Sequence, residues 1–114
     1  MEVNLPKGEC EYYLASGDKP DVIFLGKTIT VAVEVKSRIS NDADLQRGVY
    51  QCVKYRAVIR AEQKARKEIP NGLAMLVTES VLPPSVLKLA ELFDIPFRYL
   101  DPIFRNVKKG RTYA

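Results

Sequence analysis

The clearest pattern along the chain is an alternation over Thr28 to Lys36, TITVAVEVK, in which Ile29, Val31, Val33 and Val35 take every second position. A period of two predicts a strand with these four residues on one face. Thr28, Thr30, Ala32, Glu34 and Lys36 fall on the other, so a carboxylate and an ammonium sit side by side at the strand's end. A second apolar run, Val22-Ile23-Phe24-Leu25, follows Pro20-Asp21 and meets the first through the short Gly26-Lys27 connection. The spacing predicts strands over about 21–25 and 28–36 joined as a hairpin, which brings Asp21 close to Glu34 and Lys36.

Upstream, residues 1–9 carry Pro6 and Gly8 and read as irregular, Cys10 to Leu14 as a short first strand, and Ala15 to Pro20 as a turn. Ser37 to Asn41 is a polar connector. Asn41 or Asp42 then caps a long helix over about 43–68, with Asp42 and Asp44 in its first turn, where the helix dipole favours acids. Leu45, Val49, Cys52, Val53, Ala57, Ile59 and Ala61 form its apolar stripe, and Pro70-Asn71-Gly72 closes it. Gly48 inside this helix costs about 1 kcal/mol against alanine, which predicts close approach of another backbone or a ligand there. Leu73 to Thr78 is a continuous apolar run suited to a buried strand. Pro83-Pro84-Ser85 opens a second helix to about Phe93, with Val86, Leu87, Leu89, Ala90, Leu92 and Phe93 inward, and Pro96 to Leu100 is a last short strand. Residues 101–114 read as a loosely held basic tail. The order β-β-β-α-β-α-β predicts an α/β domain, a partly parallel sheet with helices packed on it.

At 114 residues the chain has room for one domain, and 46% apolar with 28% charged residues is an ordinary globular balance. No apolar run reaches the roughly 20 residues that span a membrane, and no signal-peptide core is present, so cytoplasmic is the default expectation. Two cysteines, Cys10 and Cys52, make no disulfide framework, and with no histidine any acid, base or metal chemistry must come from Asp, Glu, Lys or Tyr. The net charge of +4 is unevenly spread. Residues 1–45 hold five Lys/Arg against eight Asp/Glu, while residues 46–114 hold thirteen against six. The cationic excess gathers at Arg47, Lys54, Arg56, Arg60, Lys64, Arg66 and Lys67, and again at Arg105, Lys108, Lys109 and Arg111. Such clusters suit a polyanion such as nucleic acid, and equally a solvated helix face with a frayed tail.

A carboxylate from one strand's start and another from its neighbour's end make a seat for a hard cation. Mg²⁺ takes one or two carboxylates and completes its shell with water and phosphate, so Asp21, Glu34 and the Val35 carbonyl can supply the protein's share. Lys36, on the same face as Glu34, can stabilise charge developing on a phosphate. Hydrolysis of a phosphodiester is the reaction these groups fit. The alternative for Glu34 and Lys36 is a solvent-facing pair worth a few tenths of a kcal/mol.

Pro20-Asp21 followed by Glu34-Val35-Lys36 on two adjacent strands resembles the PD-(D/E)XK nucleases, the restriction-endonuclease-like superfamily. The resemblance spans roughly residues 10 to 79. Gln51 and Tyr55 extend it, matching the Gln-x-x-x-Tyr helix of the RecB-like and lambda-exonuclease-like subset. The same pattern occurs at Gln46 and Tyr50, rotated by roughly 140° on the helix, so only one copy faces the site squarely. Gln51 and Tyr55 are preferred because they precede the apolar Val58-Ile59. The resemblance implies a mixed sheet of four to five strands flanked by helices, and a DNase using Mg²⁺, with Mn²⁺ as a substitute. Asp21 and Glu34 would hold the metal, and Lys36 would assist the attacking water. Arg38, Arg47 and Lys54 are candidates for DNA contact, and Asp18 for metal support. The family's first core helix has no convincing counterpart before Cys10; either Glu9 or Glu11 substitutes for its acidic residue, or a partner supplies that helix. That departure keeps open a non-cleaving DNA-binding module, a homo-oligomer, or an interaction domain of a larger nuclease or helicase complex.

Overall fold

In the computed structural model, which describes residues 8, 12–26 and 28–100, the chain forms β1 (Val22–Leu25), β2 (Thr30–Lys36), α1 (Asp42–Ala65), β3 (Leu73–Thr78), α2 (Pro84–Leu92) and β4 (Phe97–Tyr99). One sheet in the order β1-β2-β3-β4 carries all four strands. β1 runs antiparallel to β2, as a hairpin must, while β2–β3 and β3–β4 are parallel because a helix returns the chain between them. The domain is thus α/β with a mixed sheet. Among the described residues no helix is long and apolar enough to cross a membrane.

Several sequence expectations need correction. Tyr12 to Leu14 are not in a strand, and the rest of the expected first strand, Cys10 and Glu11, lies outside the described residues, as do Glu9, Lys27 and the tail 101–114. The element order among described residues is therefore β-β-α-β-α-β. Instead of pairing, residues 12–18 are tied to the flank of α1. Leu14 joins the core, the Ala15 N–H donates to Glu62 Oε2 at 2.7 Å, and Asp18 pairs with Lys54 at 3.0 Å. This segment delivers Pro20 and Asp21 to the start of β1.

The core lies on the Ala32 and Glu34 face of β2, where α1 packs, rather than behind the all-valine face alone. Ala32, small and wholly buried, lets the helix come close. Leu45, Val49, Cys52 and Ile59 meet it from α1, and Leu76, Val86 and Ala90 close the layer from β3 and α2. Full burial of a residue such as Leu76 is worth about 1.5–3 kcal/mol. Ala57 and Ala61 of the expected stripe are exposed, and Tyr55 and Gln63 are buried in their stead, so the helix's inward arc is rotated toward its polar flank. Leu92 of α2 likewise faces outward, 75% exposed.

Asn41 is the N-cap of α1. Its side chain accepts from the Asp44 N–H, and the Asp44 carboxylate accepts from the Asn41 N–H, a reciprocal box that fixes where the helix leaves the β2 connector. The helix ends at Ala65, ahead of the Pro70-Asn71-Gly72 stop, because Lys67 adopts a left-handed conformation at φ 61°.

Candidate functional site

The site is assembled where β1 starts and β2 ends. The hairpin register sets Val22 opposite Val33, so the next residue back, Asp21, lies opposite Glu34 on the same face. Pro20 would continue the ladder opposite Val35, but proline has no N–H to donate. The Val35 N–H instead donates to Asp21 Oδ2 at 2.8 Å. Even-numbered residues of β2 bond toward β3, as the Glu79 N–H to Lys36 carbonyl bond of 3.1 Å shows, so the Val35 carbonyl points to the Pro20 side, where no ladder donor exists. The dipeptide Pro20-Asp21 thereby anchors one carboxylate and offers the Val35 carbonyl no backbone donor.

Glu34 is 6% exposed, which removes the surface-pair alternative. The Tyr55 hydroxyl donates to Glu34 Oε1 at 3.2 Å, and Lys36 Nζ stands 3.7 Å from Oε2. Burial pushes the Glu34 carboxyl up from its ordinary value, and the nearby charge of Asp21 adds to the rise. Lys36 and Tyr55 pull it partly back. Burial and the Glu34 charge also raise the Tyr55 phenol, which therefore stays a neutral donor. The neighbouring Cys52 thiol is pushed up to about 12, mainly by burial, and is inert as a nucleophile at neutral pH.

Of the two Gln-x-x-x-Tyr pairs, the structure turns Gln51 and Tyr55 inward. Gln51 Oε1 is buried with no hydrogen-bond partner among the described residues, one turn along α1 from Tyr55. Tyr50 is 53% exposed and packs edge-on against Phe93 instead.

Gly48 acquires a specific reason. A Cβ there would lie 2.9 Å from Leu76 Cδ1 and 3.1 Å from Lys36 Cε, so the bare backbone gives the Lys36 stem its channel. The sequence pointed to close approach at Gly48 without saying to what. Glu79 was missed. Its N–H holds the Lys36 carbonyl, and its carboxylate accepts the Arg38 N–H at 3.3 Å, pinning the connector beside the site. The only signal was its place just after the Leu73–Thr78 run.

The cations of α1 are largely engaged within the chain. Arg47 pairs with Asp44 at 3.0 Å, Lys54 with Asp18, and Arg66 with Glu62 and Glu68. Arg56 and Arg60 donate to the carbonyls of Asp94 and Gly72. Arg38, two residues past Lys36, is exposed, and its backbone N–H donates to Glu79 Oε1. Asp18, tied to Lys54 and Ser16, is held below the usual carboxylate range, chiefly by the Ser16 hydroxyl and then by Lys54.

Among the described residues no group of three or more Asp, Glu, Cys or His side chains gathers. An ion seated between β1 and β2 would take two carboxylates and the Val35 carbonyl from the protein, all hard oxygens. That is the partial shell Mg²⁺ or Mn²⁺ takes from a protein when water and phosphate complete it, so the residues fit such an ion. Fold and site together define an α/β domain that brings an acidic pair, a lysine and a buried phenol to one strand end. Comparison with protein-family models, with curated proteins and with solved structures returned no match.

Proposed function

We propose that the chain is a Mg²⁺-dependent nuclease of the PD-(D/E)XK kind that hydrolyses DNA phosphodiester bonds. The observation that carries this reading is the burial of Glu34 beside a second carboxylate, Asp21, with Lys36 and Tyr55 on its two oxygens. A buried carboxylate with a second, exposed carboxylate close by opposes folding, and a divalent cation between them would reverse the sign of that term.

Asp21, Glu34 and the Val35 carbonyl would hold the ion. The chemistry a bound Mg²⁺ supplies is neutralisation of phosphate charge and acidification of water. Tyr55 orients Glu34 by its hydrogen bond. The Lys36 ammonium, its stem confined by Gly48, places positive charge where the phosphate's develops. In the reaction, water's oxygen bonds to phosphorus, the P–O bond to the departing sugar oxygen breaks, and one of water's protons ends on that oxygen. Arg38, exposed two residues past Lys36, would contact a neighbouring phosphate.

Incubation of the purified chain with plasmid and linear DNA, with Mg²⁺, Mn²⁺ or EDTA, tests the proposal. Cleavage that needs the metal and is lost in Lys36→Ala supports it. Absence of metal-dependent product, or undiminished cutting by that variant, overturns it.

A further inference from the structure

We infer that Tyr99, with Phe97 beside it, is a stacking platform for the bases of single-stranded DNA whose backbone passes the Asp21–Glu34–Lys36 site. The inference rests on the nuclease reading and names its substrate class.

Register supplies the first argument. Lys36 pairs with Thr78 and Thr78 with Tyr99, while Glu34 pairs with Leu76 and Leu76 with Phe97. Residues paired across parallel strands point to the same face, so both aromatic side chains share the helix-side face with the site. Neighbouring strands lie about 4.8 Å apart, which puts the Tyr99 backbone about 10 Å from that of Lys36. One phosphate can therefore sit at Lys36 while a base of an adjacent nucleotide lies over the Tyr99 ring.

Burial supplies the second. Leu76 and Thr78 are 0% and 1% exposed, yet Phe97 and Tyr99 in the next strand are 41% and 44% exposed. The cover over Leu76 and Thr78 of β3 does not extend fully over Phe97 and Tyr99 of β4. Neither ring stacks on another aromatic side chain among the described residues. A three-residue edge strand with two open aromatics on the site's own face departs from the charged or shielded edge that resists sticking; Arg98 between them alternates to the opposite face, and the cation on their face is Lys36. Aromatic faces beside cations are what a single strand's bases and phosphates require. In a duplex the base faces are already stacked on one another, so only an unpaired base can occupy this platform. Arg38, on the connector two residues after Lys36, is exposed.

The full chain in EDTA, mixed at low salt with a labelled oligothymidylate or with a hairpin duplex, separates the possibilities by fluorescence anisotropy without any cleavage. Tyr99→Ala should weaken single-strand binding about tenfold, from the usual contribution of one stacked base. Tyr99→Phe should bind like wild type, and duplex affinity should change by less than about twofold. Wild type that does not bind the oligothymidylate, or Tyr99→Ala that binds it as wild type does, overturns the inference. So does Tyr99→Phe failing as badly as Tyr99→Ala, since stacking needs no hydroxyl. A loss of dimer mass in Tyr99→Ala with unchanged DNA affinity would assign the edge to a second copy of the chain and also overturn it. Tyr99-dependent binding by a chain that never cuts removes the nuclease reading alone. Cutting with Tyr99-independent binding removes this one alone.

Discussion

Two glutamines of α1 bury polar side-chain atoms, and they do so in opposite ways. At the far end Gln63 is 4% exposed and fully satisfied. Its Nε2 donates to Asn71 Oδ1 at 3.1 Å, and its Oε1 accepts the Gly72 N–H at 2.9 Å. Asn71 in turn donates to the Thr28 carbonyl, and Arg60 to the Gly72 carbonyl, so the amide locks the helix to the start of β3 and to the hairpin. Nearer the middle of α1, Gln51 Oε1 is buried without a partner among the described residues, and Glu34 on the facing strand meets a second carboxylate with its proton affinity raised. A buried polar group that only holds structure is neutral and closed. One left open, charged and beside a like charge stores unfavourable energy that a cation can relieve.

Four substitutions probe this contrast, from the largest effect to the smallest. Lys36→Ala should lower cleavage by about 100-fold or more, the scale of a lost transition-state charge contact, while thermal melting stays close to wild type. Equal loss of stability would place Lys36 with the structural end. Gln63→Ala should do the reverse. It strands the Gly72 N–H and should cost about 1–3 kcal/mol in a denaturant titration, with cleavage at low temperature unchanged. Gly48→Ala gains about 1 kcal/mol of helix propensity but crowds Lys36 Cε and Leu76 Cδ1. Its stability should therefore move little, while turnover falls by about tenfold or more through the displaced lysine. A rise in stability with full activity would show that the channel over Lys36 tolerates a methyl group.

Glu34→Gln should produce the smallest change, and its sign is the informative part. A carboxyl whose folded value is raised binds its proton more tightly in the folded state. Its ionised form therefore works against folding, and stability falls as pH climbs from the ordinary carboxylate value through the folded one. In EDTA at neutral pH the glutamine variant should melt a few degrees above wild type, and the gap should close on acidification. A variant that melts lower at every pH would mean that Glu34 stabilises the fold through Lys36 and Tyr55.

Much of this was legible in the chain. The β2 alternation, the hairpin that opposes Asp21 to Glu34, the Asn41 cap and the stretch from Leu73 to Thr78 all depend on local spacing, and spacing is what a sequence displays. Which face of β2 meets the helix was not legible. β2 lies between two strands and buries residues on both faces, so valine alternation does not distinguish them. The inward turn of Tyr55 in place of Ala57 depends on where α1 leaves the connector, which Asn41, Asp44 and Glu79 set together through tertiary bonds. Tyr12 to Leu14 look like a strand by composition, yet Glu62 and Lys54 draw that segment onto the helix. The open ring of Tyr99 depends on how far the cover over β3 extends, a property no local pattern carries.

The central claim is that Asp21 and Glu34 share a cation. Calorimetric titration of Mn²⁺ into wild type and Asp21→Asn tests it without requiring catalysis. The account predicts saturable binding to wild type that is largely lost in Asp21→Asn, although both proteins melt cooperatively. Identical isotherms for the two proteins, or no saturable heat with wild type, would contradict it.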